Sequence, residues 1–182
     1  LLDEAEERAL KSVSEKNPNL ADDQKKEIAR VVGIGAVKYA DLLPNRQSDY
    51  IFSWDKMLAL QGNTAPYLQY AYARIKSIFR KAEAVNHQPS AISLSAPEEL
   101  ALAKHLLNFE LTLEAAAEEY RPNYLCNYLY ELAGHFTRFY ENCPVLKSEG
   151  AMRESRLVLC DLTAKVLKQG LNVLGIETLE QM

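Results

Sequence analysis

Tyr67, Tyr70, Arg74 and Lys81 follow one another at offsets of three, four and seven residues. On a helix those offsets set all four side chains along one face. Two phenol rings beside a guanidinium suit a single-stranded nucleic acid base. The rings offer stacking surfaces, and the guanidinium offers forked donors for a base edge or a phosphate. The same spacing also fits two tyrosines packed in a helical bundle with their hydroxyls reaching its rim. On spacing alone, that second arrangement is the commoner one.

No other group of residues forms a reactive constellation. His87, His105 and His135 are scattered, and no serine or cysteine pairs with any of them by spacing. Glu110, Glu114 and Glu118 fall at i, i+4 and i+8. Without a histidine among them they read as a solvated acidic face rather than a metal site. Cys126, Cys143 and Cys160 form no C-x-x-C pair, which points to free, buried thiols in a reducing, cytoplasmic compartment and to no bound metal. Gly33-Ile34-Gly35 lacks the third glycine and the preceding strand of a phosphate loop, so it reads as small residues that let helices approach closely.

The elements that must position these residues are helical almost throughout. Apolar periodicity gives helices over about 1–14 and 22–43, the second with Ile28, Val31, Val32, Ala36 and Tyr39 on its buried face. Tyr50-Ile51-Phe52 reads as a short extended piece, with Ser53 capping a short turn that carries Trp54 and Met57. Pro66 opens a helix over about 65–84, and 85–95 reads as a loop. Ser95-Ala96-Pro97-Glu98 has capping-box spacing ahead of one helix running to about 119. Arg121-Pro122-Asn123 then breaks the chain before helices over about 123–142 and 150–174, and Gly175 caps the last of them. The expected fold is all-α: an antiparallel helical bundle from residue 61 to 182, preceded by a helical segment over 1–60.

Hydrophobic residues make up 48% of the 182, enough for a real core. The net charge of −4 excludes a protein that coats nucleic acid by charge alone, so any such contact must lean on shape, stacking and a few placed cations. No apolar run approaches the ~20 residues that span a bilayer, and neither a membrane nor a DNA partner is expected. Residue 1 is Leu, and the opening stretch is already helical in pattern, which reads as part of a longer protein.

Gly62-Asn63-Thr64-Ala65-Pro66-Tyr67-Leu68-Gln69-Tyr70-Ala71-Tyr72-Ala73-Arg74-Ile75 closely resembles the helix that joins catalytic core to anticodon-binding domain in arginyl-tRNA synthetases. The stretches Ile34–Leu42 and Asp49–Leu58, and the ending Gly170–Ile176 with Glu180-Gln181-Met182, resemble the same family in the same order. The resemblance implies that residues 1–60 end a catalytic region and that 61–182 form an all-helical, DALR-type anticodon-binding domain. It implies arginine tRNA as partner, together with an N-terminal catalytic domain upstream. It also implies ATP, with Mg, as what the longer enzyme uses. The family's His-Ile-Gly-His and Lys-Met-Ser-Lys-Ser types of motif are absent from this sequence. The chain by itself is therefore expected to be inactive and to carry no cofactor. By position, Tyr67, Tyr70, Arg74, Tyr140 and Met182 match residues at the anticodon, and Gly62, Asn63 and Thr64 match a loop that braces the anticodon loop. Tyr72 stands where histidine is common and Gln181 where arginine is common. The rival readings are a helical protein-interaction module and a complete small enzyme. The second would need a nucleophile–base pair, and the sequence shows none.

Overall fold

Asp22 and Asp23 occupy the first turn of one helix and Pro97 the first position of another, where a helix N-terminus favours acidic groups and tolerates a missing N–H. The computed structural model describes residues 1–82 and 92–182, and every regular element among them is an α-helix. These are α1 (Leu2–Lys16), α2 (Asp22–Leu42), α3 (Trp54–Met57), α4 (Ala65–Ala82), α5 (Pro97–Leu107), α6 (Phe109–Glu118), α7 (Pro122–Asn142) and α8 (Gly150–Val173). Most of the expected 85–95 loop, and His87 with it, lies outside the described residues.

Helices α4, α5–α6, α7 and α8 enclose the main core, built on Leu68, Ile75, Leu102, Leu129, Leu132, Phe136, Leu157 and Leu167. The first turn of α8 meets the end of α4, where Arg153 Nη2 donates to the Ala82 carbonyl at 3.1 Å. The last turns of α8 meet the first half of α7, where a Cβ on Gly170 would sit 2.6 Å from Leu129 Cδ2. Helix α8 thus runs against both α4 and α7, which point the same way. The smaller core joins α1 to α2 through Ala9, Val13, Ile28, Ala29 and Val32. Gly33 makes that approach possible, since a Cβ there would lie 2.7 Å from the Ala5 carbonyl oxygen. Gly33-Ile34-Gly35 is a close-packing device.

Two expectations need correction. Residues 97–119 are not one helix: the chain breaks at Asn108 between α5 and α6, where Asn108 N bonds back to the His105 carbonyl. The capping box read at Ser95 and Glu98 is also not formed: the N-cap is Ala96, which has no side-chain acceptor, and only the carboxylate half is present, one residue later. Glu99, not Glu98, reaches back, its carboxylate accepting from the backbone N–H groups of Ser95 and Ala96 at 2.7 and 3.0 Å. Tyr50-Ile51-Phe52 pairs with no strand and is exposed. Ser53 does cap α3, its hydroxyl accepting from Lys56 N–H. All three cysteines are buried, and burial pushes the Cys126 and Cys160 thiols up to about 12.

Candidate nucleic-acid interface

Gly62, Asn63 and Thr64 fix where α4 begins. Gly62 has φ +80 with open space around it, so backbone conformation alone calls for glycine there. The Thr64 hydroxyl donates to the Ala59 carbonyl at 2.7 Å and accepts from Tyr67 N–H, closing the loop and capping the helix. Asn63 ties the loop to two helices. Its Nδ2 donates to Asn127 Oδ1 on α7 at 3.1 Å, and its Oδ1 lies 2.5 Å from the buried Tyr39 hydroxyl on α2.

From that fixed start, α4 buries Leu68, Gln69, Ala71, Tyr72, Ile75 and Ile78 and leaves Tyr67, Tyr70, Arg74, Ser77 and Lys81 accessible. The accessible stripe is the one expected from the three-four-seven spacing. Its side chains divide between two flanks. Toward α7, Tyr67 meets Tyr130 edge-on at 5.7 Å, and the Arg74 guanidinium lies 4.9 Å above the Tyr140 ring. Tyr140 in turn stacks on Phe136 of the core, so the pair stands on a rigid base. Among the described residues no carboxylate pairs with Arg74. Toward α1 and α2, Tyr70 and Met182 line an apolar hollow with Val13, Ile28, Leu58 and Leu60. The five anticodon candidates therefore form two groups on either side of α4 rather than one cluster.

Met182 is placed by a strap, residues 176–182, that spacing did not reveal. Gln69, fully buried, donates through Nε2 to the carbonyls of Val31 on α2 and Glu177 on the strap, at 3.2 and 2.9 Å. Gly35 leaves the room this amide needs. Arg30 holds the Glu177 carboxylate with two bonds of 2.9 and 2.8 Å. The Tyr72 hydroxyl donates to Glu180 at 2.5 Å, Lys76 lies 3.3 Å from the same carboxylate, and Arg80 donates to the Glu180 carbonyl. Tyr72 is thus a strap anchor, while Gln181 is exposed. Tyr130 and Asn127 were also missed. Their i, i+3 spacing on α7 is visible in the sequence, but not that this edge faces α4.

The strap is expected to loosen in acid. The hydrogen bonds from Arg30 hold the Glu177 carboxyl below its ordinary range. Burial opposes ionisation of Glu180, but the Tyr72 hydroxyl and Lys76 outweigh it and its carboxyl is held low as well. A lowered folded-state pKa contributes stability above the unfolded pKa that is lost as pH falls through the folded value. Hydrogen exchange in 176–182 is therefore expected to be slow at neutral pH and to rise, relative to the core, below the ordinary carboxylate range. A strap equally protected on both sides of that range would contradict the assignment.

Against known proteins, residues 68–182 match the family described as the DALR anticodon binding domain. The chain belongs to that family. Residues 1–54 match the catalytic domain of class I tRNA synthetases of the arginine type. The arginine–tRNA ligase of Chromobacterium violaceum is 60% identical over the whole chain, and that of Shigella dysenteriae is 56% identical. The chain covers 32% of each, about a third of the length of these relatives. Among solved structures, the arginyl-tRNA synthetase of Thermus thermophilus superposes with a TM-score of 0.90 at 38% identity, over 100% of this chain and 31% of that one. The arginyl-tRNA synthetase of Plasmodium falciparum gives 0.90 at 34%, over 100% and 33%. The all-helical bundle is thus that of the DALR family, and its α4–α7 edge carries the Tyr67–Tyr130 pair and the Arg74–Tyr140 stack.

Proposed function

We infer that this chain is the tRNA-recognition part of an arginine–tRNA ligase, which holds the anticodon end of arginine tRNA while the longer protein attaches arginine to the 3′ end with ATP. The observation that carries the reading is the Arg74–Tyr140 stack beside the Tyr67–Tyr130 pair, on the accessible edge of a DALR domain. A guanidinium already layered on a ring presents a flat cationic surface to an unstacked base and forked donors to its edge. Tyr70 and Met182, on the other flank, form an apolar hollow for a second base, and the Gly62-Asn63-Thr64 loop braces the RNA where α4 starts. The match of residues 1–54 supports reading α1 and α2 as the end of a catalytic region that packs against the rest of a catalytic domain in the longer protein.

The described residues gather no three His, Cys, Asp or Glu side chains that could hold a metal ion. ATP–pyrophosphate exchange is expected to be absent with the 182 residues alone, and its detection would overturn that division of labour. No described helix is long and apolar enough to cross a membrane, and a cytoplasmic ligase is the setting this reading implies. A helical protein-interaction module is the less economical reading, because it gives no account of the accessible Arg74–Tyr140 stack on the edge of a DALR domain.

Titration of the chain with arginine tRNA, against the same tRNA altered only in its anticodon, tests the reading. The altered tRNA is expected to bind about 10-fold or more weaker, the cost of losing one good base contact. Equal binding of the two would remove the anticodon assignment.

A further inference from the structure

Tyr120 ends α6 with φ 54, the one non-glycine residue at positive φ among those described. In that left-handed conformation a side chain is strained, and glycine is the usual occupant of the turn after a helix. The turn itself is well made: Arg121 N–H closes on the Ala116 carbonyl at 2.9 Å and Tyr120 N–H on that of Ala117 at 3.3 Å. The ring contributes little to packing, for Tyr120 is 72% exposed. Among the described residues its one cation–π partner is Arg46, whose guanidinium carbon lies 5.9 Å from the ring centre, and no other aromatic ring stacks on it. An exposed aromatic is thus held at a strained position beside an exposed arginine.

The place of this pair gives it meaning. Arg46 follows α2 in the segment whose Leu43 and Pro44 line one cavity with Asn63 and Thr64. Tyr120 immediately precedes α7, whose next turns carry Asn127, Tyr130 and then Tyr140. The Arg46–Tyr120 pair therefore stands by the start of α7, the end of that helix whose next turns carry Asn127, bonded to Asn63, and Tyr130, against Tyr67. At 1.5 Å per residue, α7 from Pro122 to Tyr140 is about 27 Å long, far more than a single base needs. The neighbouring Arg121 is occupied, its guanidinium bonding the Tyr124 hydroxyl at 2.8 Å and lying 3.5 Å from Glu119. Arg46 has no such partner among the described residues.

We propose that Tyr120 and Arg46 form a second RNA contact, in which the ring stacks on an unpaired nucleotide and the guanidinium meets its phosphate. The contact rests on the reading of the α4–α7 edge as an RNA face and extends it beyond the anticodon residues. Such stacking is indifferent to base identity, so it adds affinity without adding discrimination.

The test is a titration of the chain with arginine tRNA at fixed salt, with thermal unfolding recorded on the same samples. Tyr120→Gly relieves the backbone strain and removes the ring. Its melting temperature is expected to be unchanged or higher while affinity falls about 5- to 150-fold, the range for one lost stacking contact. Tyr120→Phe keeps the ring and is expected to bind as the unsubstituted chain does. Arg46→Ala is expected to weaken binding, and to add less than its own loss when combined with Tyr120→Gly, because both act on one nucleotide. Full affinity in Tyr120→Gly overturns the proposal, and so does a Tyr120→Phe variant as weak as Tyr120→Gly. Arg74→Ala is titrated in the same series. If it weakens binding and Tyr120→Gly does not, only the second contact fails. If the unsubstituted chain binds no arginine tRNA, the RNA reading fails with it.

Discussion

Arg156→Ala is expected to destabilise the bundle by about 3–5 kcal/mol, the usual result of removing one partner from a buried ion pair. The Glu99 side chain is 1% exposed and that of Arg156 is 9% exposed, and Arg156 Nε donates to the carboxylate at 2.6 Å. Burial disfavours the Glu99 carboxylate, but the N–H groups of Ala96 and Ser95, with Arg156, hold its pKa below the ordinary range. The guanidinium also donates through Nη1 to the Pro144 carbonyl and the Ser148 hydroxyl, at 3.0 and 2.7 Å. One side chain thus joins the start of α5, the α7–α8 loop and α8. Truncating it leaves a buried carboxylate with two backbone donors and no counter-charge. At roughly 2–4 °C per kcal/mol for a chain of this size, thermal unfolding is expected to shift down by about 6–20 °C. A shift of a degree or two would show that the pair is hydrated in solution.

Arg74→Ala and Tyr140→Ala carry the largest expected effects on binding. Losing a charge-assisted hydrogen bond costs about 1.5–3 kcal/mol, roughly 10- to 150-fold in affinity for arginine tRNA. Tyr140→Ala is expected to cost about 1–3 kcal/mol, because the guanidinium loses the ring that holds it flat. Arg74 lies on the accessible stripe and joins no ion pair among the described residues, so its truncation is expected to leave the melting temperature nearly unchanged. Tyr140 packs against Phe136, so its truncation is also expected to lower stability. The stack makes the two residues one unit, and their losses are expected to be less than additive in the double variant.

The helices were legible because their signals are local. Pro66, Pro97 and Pro122 start helices, Gly175 at φ 70 ends one, and the spacing from Tyr67 to Lys81 marks the accessible side of α4. The break at Asn108 was not legible. Apolar residues continue through Leu106, Leu107, Phe109 and Leu111, and the break shows only in the backbone, where Asn108 N–H bonds to the His105 carbonyl. The capping carboxylate slipped by one residue because Ser95-x-x-Glu98 and Ala96-x-x-Glu99 compete, and Arg156, 57 residues away, decides in favour of Glu99.

Within the candidate site, sequence reading found the α4 half and missed much of what surrounds it. Tyr130 and Asn127 sit on a helix whose orientation depends on long-range packing. The strap depends on Gln69, a residue type with no distinctive spacing, whose amide joins positions 31 and 177. The division of Tyr67, Arg74 and Tyr140 from Tyr70 and Met182 is likewise a consequence of which helices flank α4. Family resemblance named Tyr140 and Met182, and geometry shows what each of them touches.

The central claim is that the anticodon of arginine tRNA is read along α4 at Arg74. The most direct test is a four-way titration of the unsubstituted chain and the Arg74→Ala variant, each with arginine tRNA and with the tRNA altered only in its anticodon. The unsubstituted chain is expected to prefer the arginine anticodon, and Arg74→Ala to lose most of that preference while binding the altered tRNA nearly as before. A preference of the same size in both proteins would place anticodon reading elsewhere and contradict the account.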